Sequence, residues 1–304
     1  MLKIGQSAGN QEIFGILRDY TWNNSTQQFS KMNNKFLDWF VGFSEGDGSF
    51  IVPSTGSNRF EIWQSAKDAQ VLYHIKTNLG FGKVVFPAYR PDMAIFLITK
   101  SEHLECLRLI FAHRMCTINT FTRYHAFFNI DLSTSTLKLH EPTLLNYWLA
   151  GFIDAEGCFR IKIESNNTIK LIFELSQNDV DLITNIRNLF PSLLKNIWMD
   201  RGTSRLSFSG KSARLQLINY LNLNPLKSHK RIVVLKWIKA DRILQEKGLD
   251  WKPKIKKLSE NLNKWRIKDR VRSFLKEEAS INPIGRIVTT MNYNRENVAQ
   301  SIAN

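Results

Sequence analysis

Cysteine is scarce: Cys106, Cys116 and Cys158 are the only three in 304 residues. No Cys-x-x-Cys pair occurs, and the six histidines show no ligand spacing. A disulfide framework is thereby excluded, and a structural zinc site has nothing to build on. No run of about 18 apolar residues is present, so no membrane-spanning helix is expected. The N-terminus lacks the apolar core of a secretory signal. These absences fit a reducing compartment. Acid is also short, with 27 Asp plus Glu against 42 Lys plus Arg and a formal charge of +15. That excess points to a polyanionic partner, nucleic acid ahead of an acidic membrane surface. What the chain does have is core material, 43% hydrophobic and 12% aromatic. That is enough for a sizeable core, and the length suits two domains or two large halves.

Residues 1–34 are rich in Asn, Gln, Ser and Gly and read as a loose leader, with at most a short helix near Ile13–Arg18. From Lys35 the pattern is helix, two strands, helix, two strands, helix. Phe36–Gly46 has helical periodicity. Ser49–Pro53 and Arg59–Gln64 read as a hairpin around Ser54–Asn58. Lys67–Leu79 is helical, Lys83–Phe86 and Met93–Ile98 form a second hairpin, Ser101–Phe111 is helical, and a further helix is expected at Thr122–Asn129. The order then recurs: helix at Leu144–Ala155, hairpin of Cys158–Glu164 with Lys170–Gln177, and helix at Val180–Phe190. It continues with hairpin Asn196–Asp200 with Arg205–Ser209, helix at Ser212–Leu221, and a longer helix at Ser228–Gln245.

The two passes also align by residue. Trp39–Gly48 matches Trp148–Gly157, Phe60–Gln64 matches Phe173–Gln177, and Leu107–Ile110 matches Leu215–Ile218. Two halves with one pattern predict a pseudo-twofold monomer, in effect a covalently linked dimer. The predicted division is an N-terminal half at 35–132, a linker at 133–142, a C-terminal half at 143–246 and a basic tail at 247–304. Residues 247–272 hold ten Lys or Arg and three acids. Two readings of that segment stand side by side, a solvated basic helix and a set of sequence-independent phosphate contacts.

The sharpest signal is the repeated helix that ends in acid-Gly. Gly42 and Gly46 lie four apart on one face, as do Gly151 and Ala155. Glycine inside a helix costs up to about 1 kcal/mol, so two registered small pairs predict a close helix–helix seam between the halves. Asp47 and Glu156 then fall at the C-terminal ends of these helices. A helix C-terminus already carries about half a negative charge, so two such ends brought together require a positive group. A hard divalent cation with oxygen ligands answers this, Mg²⁺ first. Glu45 and Asp154, two residues earlier, project elsewhere and are expected to be surface or hairpin-facing acids.

Phe40–Gly48 and Leu149–Gly157 resemble two copies of the LAGLIDADG motif, and the second, Leu-Ala-Gly-Phe-Ile-Asp-Ala-Glu-Gly, is very close to it. Together with the repeated strand and helix order, this resembles the single-chain, two-motif LAGLIDADG homing endonucleases of organellar introns, over about residues 35–245. The resemblance implies an α+β fold, a tandem repeat of αββαββα whose two antiparallel sheets form a saddle over DNA. It implies Asp47 and Glu156 as the metal acids, with the carbonyls of Gly46 and Ala155 as supplementary ligands. Double-stranded DNA would be cut across the minor groove with short 3′ overhangs. Mg²⁺ would be the cofactor, with Mn²⁺ as a substitute and Ca²⁺ supporting binding without cleavage. The chain would act as a monomer, without a membrane, in a mitochondrion or chloroplast. The Asp/Glu mix departs from a symmetric pair and would make the two sites unequal.

Gln64 and Gln177 take equivalent places at their strand ends, either as inward polar residues or to order water at each centre. Pro225–Lys230 resembles the family's segment before its last helix, where a lysine nears the cleavage centre; Lys230 is favoured over Lys227. Arg123 is the expected counterpart in the first half. Specificity would come from the strands. In Cys158–Glu164, the residues Phe159, Ile161 and Ile163 face the helices, and Arg160, Lys162 and Glu164 face outward. The same outward face would carry Arg59, Glu61 and Trp63, then Glu174 and Ser176, with Ile51 and Pro53 suited to thymine methyls. Glu61, Glu164 and Glu174, read as exposed acids, are poor choices for a non-specific phosphate binder. The runner-up is an RNA-binding intron maturase on the same scaffold, with intron RNA as its partner.

Overall fold

The chain enters its first helix at Asn33, whose side-chain oxygen accepts from the Lys35 amide at 3.0 Å, the arrangement of an N-cap that satisfies an otherwise orphaned donor. In this computed structural model residues 33–191, 197–200 and 202–262 are described. The expected leader, apart from its last two residues, and the tail beyond 262 lie outside them. The first half runs α1 (Asn34–Asp47), β1 (Gly48–Ile51), β2 (Arg59–Ser65), a 3-10 turn (Ala66–Asp68), α2 (Ala69–Leu79), β3 (Lys83–Val85), β4 (Met93–Ile98), α3 (Ser101–Ala112) and α4 (Ile118–Phe127). The second repeats it with α5 (Trp148–Glu156), β5 (Cys158–Ile163), β6 (Ile169–Gln177), α6 (Val180–Asn188), β7 (Ile197–Asp200), β8 (Thr203–Phe208), α7 (Lys211–Leu223) and α8 (Lys230–Glu246). Residues 251–262 form a further helix, α9.

Each half holds one antiparallel four-stranded sheet, ordered β1-β2-β4-β3 and β5-β6-β8-β7. The fold is thus α+β, a tandem αββαββα repeat. The strands alternate as a half-buried sheet demands: Phe50, Phe60, Ile62, Phe96 and Ile98 are buried beneath the first sheet, and Phe159, Ile161, Leu171, Phe173 and Leu175 beneath the second. α1 and α5 pack on each other between the halves and supply the largest buried side chains, Trp39 and Trp148 among them.

Five expectations need correcting here. The helix that carries the second motif starts at Trp148, not Leu144, because Asn146 Oδ1 caps the Trp148 amide at 3.1 Å while its carbonyl accepts from Tyr220 Oη at 2.9 Å. No helix or strand occurs between Phe128 and Tyr147, so the connection is longer than 133–142. α4 begins at Ile118 because Thr117 caps it through the Thr120 amide. Pro53 lies outside β1, whose register stops at the pair Ile51 with Arg59; a proline has no N–H to extend that ladder. Ile163 is exposed, not packed on the helices, since β5 runs past them there.

The first part of the tail differs from the reading of it as a solvated helix. Ile255 and Leu262 are 0% and 2% exposed. The buried Ser259 hydroxyl donates to the Ile161 carbonyl at 2.9 Å. α9 is therefore part of the core over 251–262, with its lysines 252, 254, 256 and 257 facing out.

Candidate functional site

Two glycines decide how closely α1 and α5 approach. A Cβ on Gly42 would fall 2.0 Å from the Trp148 carbonyl oxygen, and one on Gly151 would fall 1.9 Å from that of Trp39. The two backbones are in contact, as registered small residues permit. Lower in the seam, a Cβ on Gly46 would meet the Ala155 Cβ at 2.4 Å and lie 3.4 Å from Glu156 Oε1. The seam thus sets the C-terminal ends of both helices side by side. Each helix leaves directly into a strand. Gly48 and Gly157 are extended, and their amides donate back to Ser44 and Ile153.

Asp47 and Glu156 end these helices and are both half-buried. Burial pushes the Asp47 carboxyl above the ordinary aspartate range, against the pull of Lys230. Burial, reinforced by the negative charge of Asp47, pushes Glu156 up to about 7, again opposed by Lys230. Two desolvated carboxylates at two negative helix ends form a place that favours a cation. Lys230 supplies one: its Nζ donates to the Ala155 carbonyl at 2.7 Å and to Ile153 at 3.3 Å. Among the described residues no three of His, Cys, Asp and Glu gather round a metal position. The oxygen donors present are the two carboxylates and the helix-end carbonyls. That hard, oxygen-only set fits Mg²⁺, and the ammonium on the Ala155 carbonyl shows that the spot accepts positive charge.

The two glutamines are not used alike. Gln64 Nε2 donates to Asp47 Oδ2 at 2.6 Å. Gln177 instead turns to its own neighbour, accepting from the Asn178 amide at 2.9 Å. Arg123 lies on the exposed face of α4, and no hydrogen bond or ion pair among the described residues joins it to either carboxylate. The position equivalent to Lys230 is another residue. Glu45 accepts from the Cys116 and Thr117 amides, and Asp154 accepts from those of Lys227 and Ser228. The next amides, of Ile118 and His229, donate to Asp179 and Asp68. Counting one further, Asn119 stands where Lys230 stands. The end of α1 has a glutamine and no lysine; the end of α5 has a lysine and no glutamine.

On the outer face of each sheet the acids are engaged. Glu61 and Glu174 are each 8% exposed. Arg59 Nε donates to Glu61 at 2.5 Å, and Trp63 Nε1 donates at 2.8 Å. Glu174 is ion-paired with Arg160 and, at 3.4 Å, with Arg205. Glu164 lies just past β5 and receives Lys170 at 2.8 Å and Lys162 at 3.7 Å. The expectation of exposed acids on this face is corrected for Glu61 and Glu174, which lie buried against arginines and a tryptophan, while Glu164 takes two exposed lysines. Ile51 pairs with Arg59 on the first face, and Ser176 with Arg205 on the second. Arg205 and Arg90, which lies 5.7 Å over the Trp63 ring, were missed. Alternation along β8 would have given the first of these.

The profile of the LAGLIDADG endonuclease family matches residues 40–130 and again 149–240. The chain belongs to that family. It is 33% identical over 247 residues to a Neurospora crassa protein named "Probable intron-encoded endonuclease 4", covering 73% of this chain but only 43% of that one. It is 27% identical over 226 residues to the "Uncharacterized cox1 intron-2 37.2 kDa protein" of Schizosaccharomyces pombe, covering 70% and 68%. The chain thus spans under half the length of the Neurospora relative. Among solved structures it is similar to the LAGLIDADG meganuclease I-AabMI bound to uncleaved DNA, with TM-score 0.62, 18% identity, and 74% and 98% of the two chains covered. I-SmaMI bound to an uncleaved DNA target with calcium ions gives 0.57, at 19% identity over 77% and 99%. At these identities the likeness is one of fold.

Within the two LAGLIDADG motifs, Glu45 and Asp154 turn out to be buried, 6% and 3% exposed, not surface acids. Each crosses the seam. Glu45 accepts from Trp148 Nε1 at 2.5 Å, and Asp154 accepts from Trp39 Nε1 at 3.1 Å. Each also takes the amides at the start of the last helices of its own half, α4 or α8, where orphan donors favour a carboxylate. Burial raises Glu45 to about 7, against those same hydrogen bonds. A signal existed: in both copies a tryptophan precedes the acid by six residues.

Proposed function

We propose that this chain is a site-specific endonuclease that hydrolyses both strands of a long duplex DNA target with a divalent metal, Mg²⁺ first, leaving short 3′ overhangs. The observation that supports it is the seam. Gly42, Gly46, Gly151 and Ala155 bring two desolvated carboxylates to one point between two outward sheet faces. Asp47 and Glu156, with the carbonyls of Gly46 and Ala155, would hold the metal. When bound, it polarises a scissile phosphate, lowers the pKa of an attacking water and stabilises the leaving 3′ oxygen.

The chain's own residues do the rest. Gln64 fixes the Asp47 rotamer. Lys230 offers an ammonium where negative charge develops on the phosphate, and such a preset donor costs no reorganisation during reaction. Arg59, Trp63, Arg160 and Arg205 present fixed donors and one aromatic ring to the duplex. Their carboxylate partners keep them in place, and base edges are read by such preset side chains. The intron-encoded relatives support a mitochondrial setting for the gene.

The test is a cleavage selection. Purified protein is incubated with a randomised or insertion-site duplex library in Mg²⁺, in Ca²⁺ and in EDTA. A discrete long site cut on both strands only in Mg²⁺ is expected, and Glu156→Gln should bind that site without cutting it. No cleavage across the library, with tight binding to structured intron RNA, would refute the reading and favour a splicing role.

A further inference from the structure

α9 has no counterpart in the first half, and its position gives it a task. β5 is one of the two edge strands of the second sheet. An exposed strand edge is a liability that proteins cover. Both last helices reach this strand: Trp237 of α8 donates to the Arg160 carbonyl at 3.2 Å, and Ser259 of α9 donates to that of Ile161 at 2.9 Å. Between strand and helix lies a cavity of about 560 Å³, lined on the sheet side by Arg160, Lys162, Ile163 and Ile172 and on the helix side by Lys256 and Glu260.

Arg160 and Lys162 belong to the outward set of β5, opposite Ile172 and Lys170 on β6. Lys256 shares the cavity with this outward set, at the edge of the sheet. Lys162 and Lys256 are exposed, and so are Lys252, Lys254 and Lys257 on the same helix. Glu260 is the one carboxylate among the residues lining the cavity. Arg160 is held by Glu174, whereas Lys162 meets Glu164 only at 3.7 Å with its side chain 61% exposed, which leaves the lysines as the more mobile cations. Long ammonium side chains on an anchored helix suit phosphate oxygens, which fix position without reading sequence.

We propose that α9 is a fifth element of the nucleic-acid face of the second half. Lys162 and Lys256 grip the phosphodiester backbone of duplex DNA on the flank beyond β5, so that the footprint is longer on that side of the cleavage site than on the other. This rests on the endonuclease reading above and adds a contact to it.

The experiment uses the full chain and the target recovered in the cleavage selection. Wild type and the Lys162→Ala/Lys256→Ala double variant are compared by affinity from 50 to 200 mM salt and by hydroxyl-radical footprinting. Both lysines are exposed, so the melting temperature should stay at the wild-type value. Removing one lysine–phosphate interaction lowers the salt slope by about 0.9. Over that salt range the wild type should then lose about tenfold more affinity than the variant. Protection should recede on one flank only, with the cut position unchanged. A second variant, Lys256→Glu, should weaken the same flank further. An unchanged slope and footprint, in a protein that still cuts its target, would overturn the role of α9 and leave the endonuclease standing. Absence of any duplex footprint for the wild type would overturn both.

Discussion

Adding one methyl group at residue 42 tests the seam most directly. In Gly42→Ala the new Cβ would fall 2.0 Å from the Trp148 carbonyl oxygen and 2.9 Å from its carbon. Ordinary contact begins near 3.4 Å, so α5 would have to retreat by about 1.4 Å. The obstacle is main chain, which no rotamer change relieves. Overpacking typically costs about 1–3 kcal/mol, and a backbone clash belongs at the upper end. The helix propensity of alanine returns about 1 kcal/mol. A net loss of about 2 kcal/mol lowers the melting temperature of a chain this size by about 4–8 °C. Cleavage should fall much further than stability, because a shift of about 1 Å at a reacting centre costs about a hundredfold. Thermal melts and single-turnover cleavage are read together. Gly248→Ala, where a Cβ meets nothing within 4 Å, is the control and should change stability by no more than about 0.5 kcal/mol. A Gly42→Ala protein that melts at or above the wild-type temperature and cuts at the wild-type rate would refute backbone contact in the seam.

Glu45→Gln places an amide against the donors of Cys116, Thr117 and Trp148, and should cost about 2–3 kcal/mol. Trp148→Phe, which removes one of those donors, should cost less by chemical denaturation; the reverse order would show that the carboxylate is not the hub. Lys230→Met should slow one strand of the duplex more than the other, as read on end-labelled DNA, because the equivalent position is Asn119; equal slowing would mean that the ammonium serves both centres. Ile255→Ala should lose about 2–4 kcal/mol, and a variant as stable as wild type would place α9 outside the core. Burial holds the Cys106 thiol up to about 11, with the nearby Glu105 adding to it, and holds Cys116 up as well. Neither should react with a charged disulfide reagent at pH 8, where thiolate is the reactive form; rapid labelling of either by mass spectrometry would show that burial to be absent.

The repeat, the order of elements and the seam were all legible, because each rests on spacing. Met93–Ile98 was placed to the residue, and most other elements to within two or three. What spacing does not encode is the direction in which a long polar side chain turns. Gln64 and Gln177 look equivalent in sequence, yet one meets a carboxylate and the other its neighbour's amide. Glu61 and Glu174 occupy outward positions and still bury themselves under arginines. The mis-set helix starts share a cause, since Thr117 and Asn146 act through side-chain hydrogen bonds that compete with any periodicity signal. Arg123 is the basic residue of the segment that parallels Pro225–Lys230 in sequence, whereas the place equivalent to Lys230 is fixed by a run of backbone amides and holds an asparagine.

The buried acids explain what fixes the two halves against each other at the seam. Glu45 holds the start of α4 and the tryptophan of the other half's motif helix; Asp154 holds the start of α8 and the opposite tryptophan. Asp68 and Asp179 cross in the same way, each accepting the next amide of the opposite half. The start of α8 carries Lys230, so the first half's Asp68 and Trp39 help to set where that ammonium points. A displacement of either half would therefore disturb Asp47, Glu156 and the lysine together. Removing one carboxylate would leave buried donors unpaired on both sides of the seam, a loss larger than that of one isolated hydrogen bond. Small residues thus permit the contact between α1 and α5, and charge crossing the seam fixes its register.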